Sequence, residues 1–147
     1  MTAQLTGDEL ARRCAEVMWA GDNASQHLKM ELLEVSSGRA VMSMVVQDVM
    51  VNGWAMCHGG YISTLADSAF AFACNTHDVV TVASGFDISF RLPAKAGDEL
   101  IATAVERSRE GRDGLYDVTV SRDVEGTREI VAEMQGRSRS LGKPILG

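Results

Sequence analysis

The sequence predicts an α+β fold in which a curved antiparallel sheet wraps around a long central helix. Two features carry that expectation. The stretch 57–75, CHGGYISTLADSAFAFACN, is apolar or small on almost every side and contains no proline. A helix of that character belongs inside a protein or a membrane, and roughly 16 residues is short of the about 20 that a membrane span needs. Around it lie short alternating runs separated by hairpin-length turns, which is the pattern of antiparallel strands.

The size and composition of the chain fit one such domain, spanning residues 1–147. At 147 residues it is long enough to bury a core, and its 46% hydrophobic and 23% charged residues are ordinary for a globular protein. A net charge of -6 and the lack of any long lysine or arginine cluster argue against a nucleic-acid surface. Cys14, Cys57 and Cys74 are odd in number and form no C-x-x-C pair, which disfavours a disulfide scaffold or zinc site. No metal is therefore expected. Reduced thiols and an opening MTAQLTGDELARRC without a signal-like apolar core suit a cytoplasmic protein.

Residues 1–27 read as an N-terminal helical segment. Thr6 and Glu9 have capping-box spacing, and Leu10, Cys14, Val17 and Met18 recur at helical intervals over residues 8–20. Gly21-Asp22-Asn23 is expected to end the helix, whose role is to cover an edge or open face of the sheet. Residues 28–35 and 39–46 form a hairpin around Ser36-Ser37-Gly38, the second strand being apolar on both faces. A loop over 47–56 carries Asn52-Gly53, a dipeptide suited to a positive-φ turn. The central helix is expected over 58–76. Beyond it, residues 78–84 are β-branched, and Phe86, Ile88, Phe90 and Leu92 alternate with polar residues. Strands over 99–108, 115–122 and 129–140 follow, with turns at 93–97, 110–114 and 124–127, so the sheet reads as a meander. One sheet cannot shield the whole helix, so it either curls tightly or shares the task with a second copy.

Two features of the central helix call for chemistry. Asp67 is its only charged residue, and an uncompensated carboxylate in apolar surroundings is costly. His58-Gly59-Gly60 ahead of it leaves backbone N–H groups free at the positive end of the helix dipole. Asp67 is a structural acid paired with an arginine, an acid merely exposed at a break in the burial, or a catalytic group. Gly59 and Gly60 either ease helix entry or leave room for a substrate oxygen that becomes an oxyanion. Eight residues separate Gly59 from Asp67, about 12 Å along a helix. One carbonyl cannot meet both from a single chain, so joint action needs two subunits with antiparallel helices across a twofold axis.

The pattern Asn52-x5-His58-Gly59-Gly60-x6-Asp67, the helix segment LADSAFAFACN and the strand ending F-R-L-P-x-x-x-G-D resemble the hotdog-fold acyl-CoA thioesterases. Within these the chain is most similar to the PaaI type of the phenylacetic acid pathway, over residues 28–140. The resemblance implies a hotdog fold and hydrolysis of an acyl-CoA thioester, with phenylacetyl-CoA or hydroxyphenylacetyl-CoA as substrate. It implies that Asp67 attacks the carbonyl or activates water, that the Gly59 amide, supported by Gly60, holds the oxyanion, and that Asn52 steadies the water or the acid. His58 orders the turn or bonds near the thioester. Ser84, Gly85, Arg91 and Lys95 match the region that binds coenzyme A, while Trp54 and Tyr61 are candidate acyl liners. A Cys57–His58 nucleophile pair is disfavoured, since sequence neighbours rarely meet in that geometry. The family forms homodimers, usually paired into homotetramers, and needs no cofactor, because water and a carboxylate suffice. Two alternatives differ in class. One is a hotdog acyl-thioester hydratase or dehydratase, in which His and an acid pair near the helix start. The other is an acyl-CoA-binding domain without turnover.

Overall fold

The computed structural model describes Leu5 and residues 7–147. Thr6, the expected N-cap, lies outside the described residues. Helix α1 (Gly7–Gly21) buries Ala11, Cys14 and Ala15, and leaves Val17 half exposed, so its apolar stripe is rotated from the expected one. The first helix ends at Gly21, within the expected Gly21-Asp22-Asn23, and Asp22 then starts a further turn of helix. The Asp22 carboxylate accepts the Ser25 backbone N–H (3.0 Å) and hydroxyl (2.7 Å), capping a second short helix, α2 (Asn23–His27). The first strand therefore begins only at Glu31.

Six strands form one antiparallel sheet: β1 (Glu31–Ser36), β2 (Arg39–Val45), β3 (Thr81–Phe90), β4 (Glu99–Glu110), β5 (Asp113–Val124) and β6 (Thr127–Ser140). Their order is β1-β2-β4-β5-β6-β3. The meander holds for β4-β5-β6, but β3 does not sit beside β4. It pairs with β6 at the far edge, because the chain crosses the sheet on helix α3 (Gly59–Cys74) and returns through the segment after Phe90. Extra residues at Leu33, Ser84, Arg107 and Val131 break the register in four of the five strand pairs. Bulges of this kind bend a sheet and increase its twist, which lets it curve around α3 as the hotdog fold requires. The bulge also corrects the expected face of β6, where Val131 and Ala132 are both fully buried.

The core lies between α3 and the concave face. Leu65, Phe70 and Phe72 meet Met42, Met44, Leu100, Tyr116, Val118 and Val120, with Phe70 and Tyr116 rings 5.4 Å apart. Gly136 lets β6 approach Phe70 closely, since a Cβ there would stand 2.8–2.9 Å from three ring carbons. Helix α1 packs on β1 and closes the side of the core, with Trp19 and Phe72 rings 6.2 Å apart. Cys14, Cys57 and Cys74 are all buried free thiols.

Both ends of α3 are tied down. Before it, Cys57 N–H donates to the Ala94 carbonyl (2.7 Å) and His58 N–H to that of Met50 (2.8 Å). After it, the Asn75 amide donates to the carbonyls of Ala71 (2.8 Å) and Thr81 (2.9 Å), and its oxygen accepts the Thr81 N–H (2.8 Å). His77 meets Glu106 at 2.8 Å, and the Tyr116 hydroxyl and Arg109 guanidinium reach the same oxygen at 3.0 and 3.1 Å. Burial alone would raise the Glu106 pKa; the bonds from His77 and Tyr116 and the charges of Arg109 and His77 outweigh it and hold the carboxyl low.

Gly136→Ala forces a methyl into a fully buried ring and is expected to cost about 1–3 kcal/mol, read as a lower denaturant midpoint at unchanged slope. A lowered folded pKa stabilises the fold above the unfolded glutamate range, and that gain is lost as pH falls through the folded value. Glu106→Gln is accordingly expected to melt below wild type at neutral pH, with the two curves converging only as pH falls through the depressed folded value.

Candidate active site

The outward side of α3 is less apolar in context than its sequence suggests. Ser63, Thr64, Asp67, Ser68 and Ala71 are half-buried and share one stripe, while Ile62, Leu65, Ala66, Ala69, Phe70 and Ala73 are buried on the other side. Ser68 is held by the buried Ser25 of α2 at 3.0 Å. Asp67 has no side-chain hydrogen bond among the described residues, and neither an arginine nor a lysine pairs with it. Burial pushes its carboxyl pKa up. Among the described residues no arginine pairs with Asp67, so the ion-pair reading does not apply; its half-buried position fits an acid exposed at a break in the burial as well as a catalytic one.

At the other end of the helix, His58 is the N-cap in extended conformation, its side chain exposed and making no capping bond. The first amide of the helix to find an acceptor is that of Tyr61, bonded to the His58 carbonyl at 3.0 Å. The N–H groups of Gly59 and Gly60 stand ahead of it with no acceptor among the described residues, as at any open helix start. The Ser63 and Thr64 hydroxyls donate to the Gly59 and Gly60 carbonyls, both at 2.8 Å. The first turn is thus held from within while its amides stay available.

Gly59 borders a groove of about 390 Å³ lined also by Asn52, Met56, Ile62, Phe90 and Arg91. Three expected site residues, Asn52, Gly59 and Arg91, come together there. Asp67 does not, and no carboxylate lines the groove among the described residues. Asn52 is a turn residue: its side-chain oxygen accepts the N–H groups of Trp54 (2.9 Å) and Met56 (3.2 Å). The positive φ of that turn falls on Ala55 (59°), not on Gly53 as the dipeptide suggested. Cys57 is buried, its thiol pKa raised by burial and by the charge of Asp98, so it is no thiolate nucleophile. Trp54 is 82% exposed, whereas Tyr61 borders a second groove with Leu28 and Val49.

The remaining candidates are dispersed. Ser84 and Gly85 lie midway along edge strand β3; the Ser84 hydroxyl donates to the Arg137 carbonyl (3.1 Å), and the Arg137 side chain fills the space a Cβ on Gly85 would need. Arg91 follows the strand and pairs with Glu133 at 3.0 Å. Lys95 is exposed in the next turn, where its backbone N–H donates to Asp98 (2.8 Å). Phe90 was legible only as one member of an alternating apolar run. That run points to the concave side, paired with Gly136, Met134 and Ala132, and α3 covers it only in part, leaving Phe86 36% and Phe90 51% exposed.

The chain belongs to the thioesterase superfamily, whose family model matches residues 55–128. It is 38% identical to the acyl-coenzyme A thioesterase PaaI of Escherichia coli over 133 residues, covering 90% of this chain and 93% of that protein. The structure of the E. coli PaaI protein from the phenylacetic acid degradation operon superposes with a TM-score of 0.89 at 35% identity, covering 93% of this chain and 97% of that one. A mutant of the phenylacetic acid degradation protein PaaI from Thermus thermophilus gives 0.76 at 32% identity, over 82% of this chain and 100% of its own.

A carboxyl whose folded pKa is raised makes the folded chain hold its proton more tightly than the unfolded chain does. Stability then falls as pH rises from the unfolded aspartate range, about 3.9, through the raised folded value. Asp67→Asn is expected to melt above wild type at neutral pH, the gain vanishing below about pH 3. Thermal melts across pH check this; a lower-melting Asn variant at neutral pH would mean the carboxylate is compensated.

Proposed function

We propose that this thioester hydrolase acts on aryl-acetyl-CoA, phenylacetyl-CoA or hydroxyphenylacetyl-CoA, releasing the free acid and coenzyme A. The observation that carries the reading is the unpaired, half-buried Asp67 set about 12 Å along α3 from the open Gly59 amide. Two copies with antiparallel helices bring Asp67 of one chain beside Gly59 of the partner subunit, so the homodimer is the active unit. The exposed apolar side of β3 and the open stripe of α3 are the surfaces such a dimer covers. Pairing of dimers makes a homotetramer, and the chain works in the cytoplasm. No helix among the described residues is long and apolar enough to cross a membrane.

In the reaction the thioester oxygen lies against the Gly59 amide, with Gly60 beside it, where charge develops as the carbonyl is attacked. Asp67 either takes a proton from water, whose oxygen then bonds to the carbonyl carbon, or bonds to that carbon itself. Collapse breaks the C–S bond, and coenzyme A leaves as thiol with a proton that comes from water. In the second route the resulting anhydride is hydrolysed, so both routes consume one water. Asn52 keeps the loop beside the groove in shape, and His58 fixes the turn into the helix. Arg91 and Lys95 meet the phosphates of the nucleotide, with Ser84 and Gly85 on the strand leading to them. The acyl group lies against apolar residues of both chains, Tyr61 and Trp54 among them.

Release of free coenzyme A from acetyl-, long-chain, phenylacetyl- and 4-hydroxyphenylacetyl-CoA tests this directly. Aryl-acetyl esters are expected to react best, and Asp67→Asn to lower kcat roughly 100- to 10,000-fold with the dimer intact. Turnover surviving in Asp67→Asn removes the acid from the mechanism, and a preference for straight-chain esters removes the aryl-acetyl assignment.

A further inference from the structure

Gly59 and Gly60 are adjacent, yet their surroundings differ. A Cβ on Gly60 would meet nothing within 4 Å. On Gly59 its three nearest neighbours all belong to the Phe90 ring, Cζ at 3.0 Å and the two Cε atoms at 3.4 Å. The ring tip therefore rests on the Gly59 Cα. Its root is fixed, because Phe90 pairs with Ala132 in the sheet and the next residue, Arg91, donates its N–H to the Val131 carbonyl at 2.8 Å. The ring spans the gap between the end of β3 and the start of α3, and both Phe90 and Gly59 line the same groove.

We propose that Phe90 is a positioning residue for the Gly59 amide, and that a side chain at residue 59 would have to push the ring aside to fit. The inference rests on the oxyanion role given to Gly59 above. A donor stabilises a developing charge only if its direction is set beforehand and water is kept off it. The ring does both on one side: it stops the first helical turn from tilting toward β3, and it covers the Gly59 Cα from that side. The arrangement also explains why the two glycines are not equivalent, since only the first is in contact with the sheet.

A double-mutant cycle on the full-length protein tests the proposal, using Gly59→Ala, Phe90→Leu and the pair together, each confirmed to match wild type in oligomeric state and melting. Phe90→Leu is expected to lower kcat roughly 10- to 100-fold through misplacement of the donor, with KM nearly unchanged. Gly59→Ala displaces the ring and should lose a similar factor. The double variant should then fall no further than Phe90→Leu, because the obstacle is gone. Amide hydrogen exchange of the Gly59 N–H, followed by NMR, should quicken in Phe90→Leu whether or not substrate is present. Multiplying losses with unchanged exchange would overturn the proposal, and so would a loss confined to KM, which marks a substrate contact. Wild type turning over no acyl-CoA at all would instead sink the thioesterase reading, leaving the exchange rate to decide what the ring does.

Discussion

The structure depends on the burial of α3. A helix with Leu65, Phe70, Phe72 and four alanines in sixteen residues is stable in water only if something encloses it. The sheet meets that need by bending, with one bulge in each of four strand pairs and a glycine where Phe70 presses closest. The two ends of the helix are secured by hydrogen bonds as well as by apolar contact. The fold thus supplies a rigid rod whose position is fixed at both ends and whose outer side stays open.

That open side is where stability and chemistry pull apart. Asp67 sits where burial opposes its charge, and no basic side chain among the described residues relieves it. A protein selected only for stability would place an asparagine or alanine there. The same lack of partners leaves a carboxylate with lone pairs free for a proton or a carbon atom. The acid at the far end of the helix, Glu106, shows the opposite arrangement: three donors on one oxygen, a depressed pKa and a structural role. The carboxyl pKa values of two acids in one small domain are thereby moved in opposite directions by their surroundings alone.

The central helix and the strand-forming runs were legible in the sequence because hydrophobic periodicity reports burial directly. Asp67 and Gly59 stood out because a charge in an apolar run and a glycine pair at a helix start are locally anomalous, and Asn52 because Asn-Gly suits a turn. What stayed hidden depends on contacts between distant segments. The pairing of β3 with β6 could not be read from strand order, since hairpin-length turns favour neighbours and only the crossing on α3 prevents it. The rotated stripe of α1 was missed because Ala11 and Ala15 are small enough to look neutral, while Val17 looks like core. Phe90 looked like one more apolar strand residue; its meaning lies in the separation from Gly59 across the fold, which no local pattern encodes.

The three cysteines carry a practical consequence. Each is buried in a different place: Cys14 under the first helix, Cys57 in the loop before α3, and Cys74 at the end of that helix, its thiol pushed up to about 12. Thiolate, not thiol, reacts with alkylating reagents, so none of them is modified at an appreciable rate while its own region stays closed. The native chain therefore carries three internal clocks, one for the helical cover, one for the loop beside the groove and one for the buried end of the rod. Their labelling rates, compared with one another, rank how often each region of the unaltered protein opens.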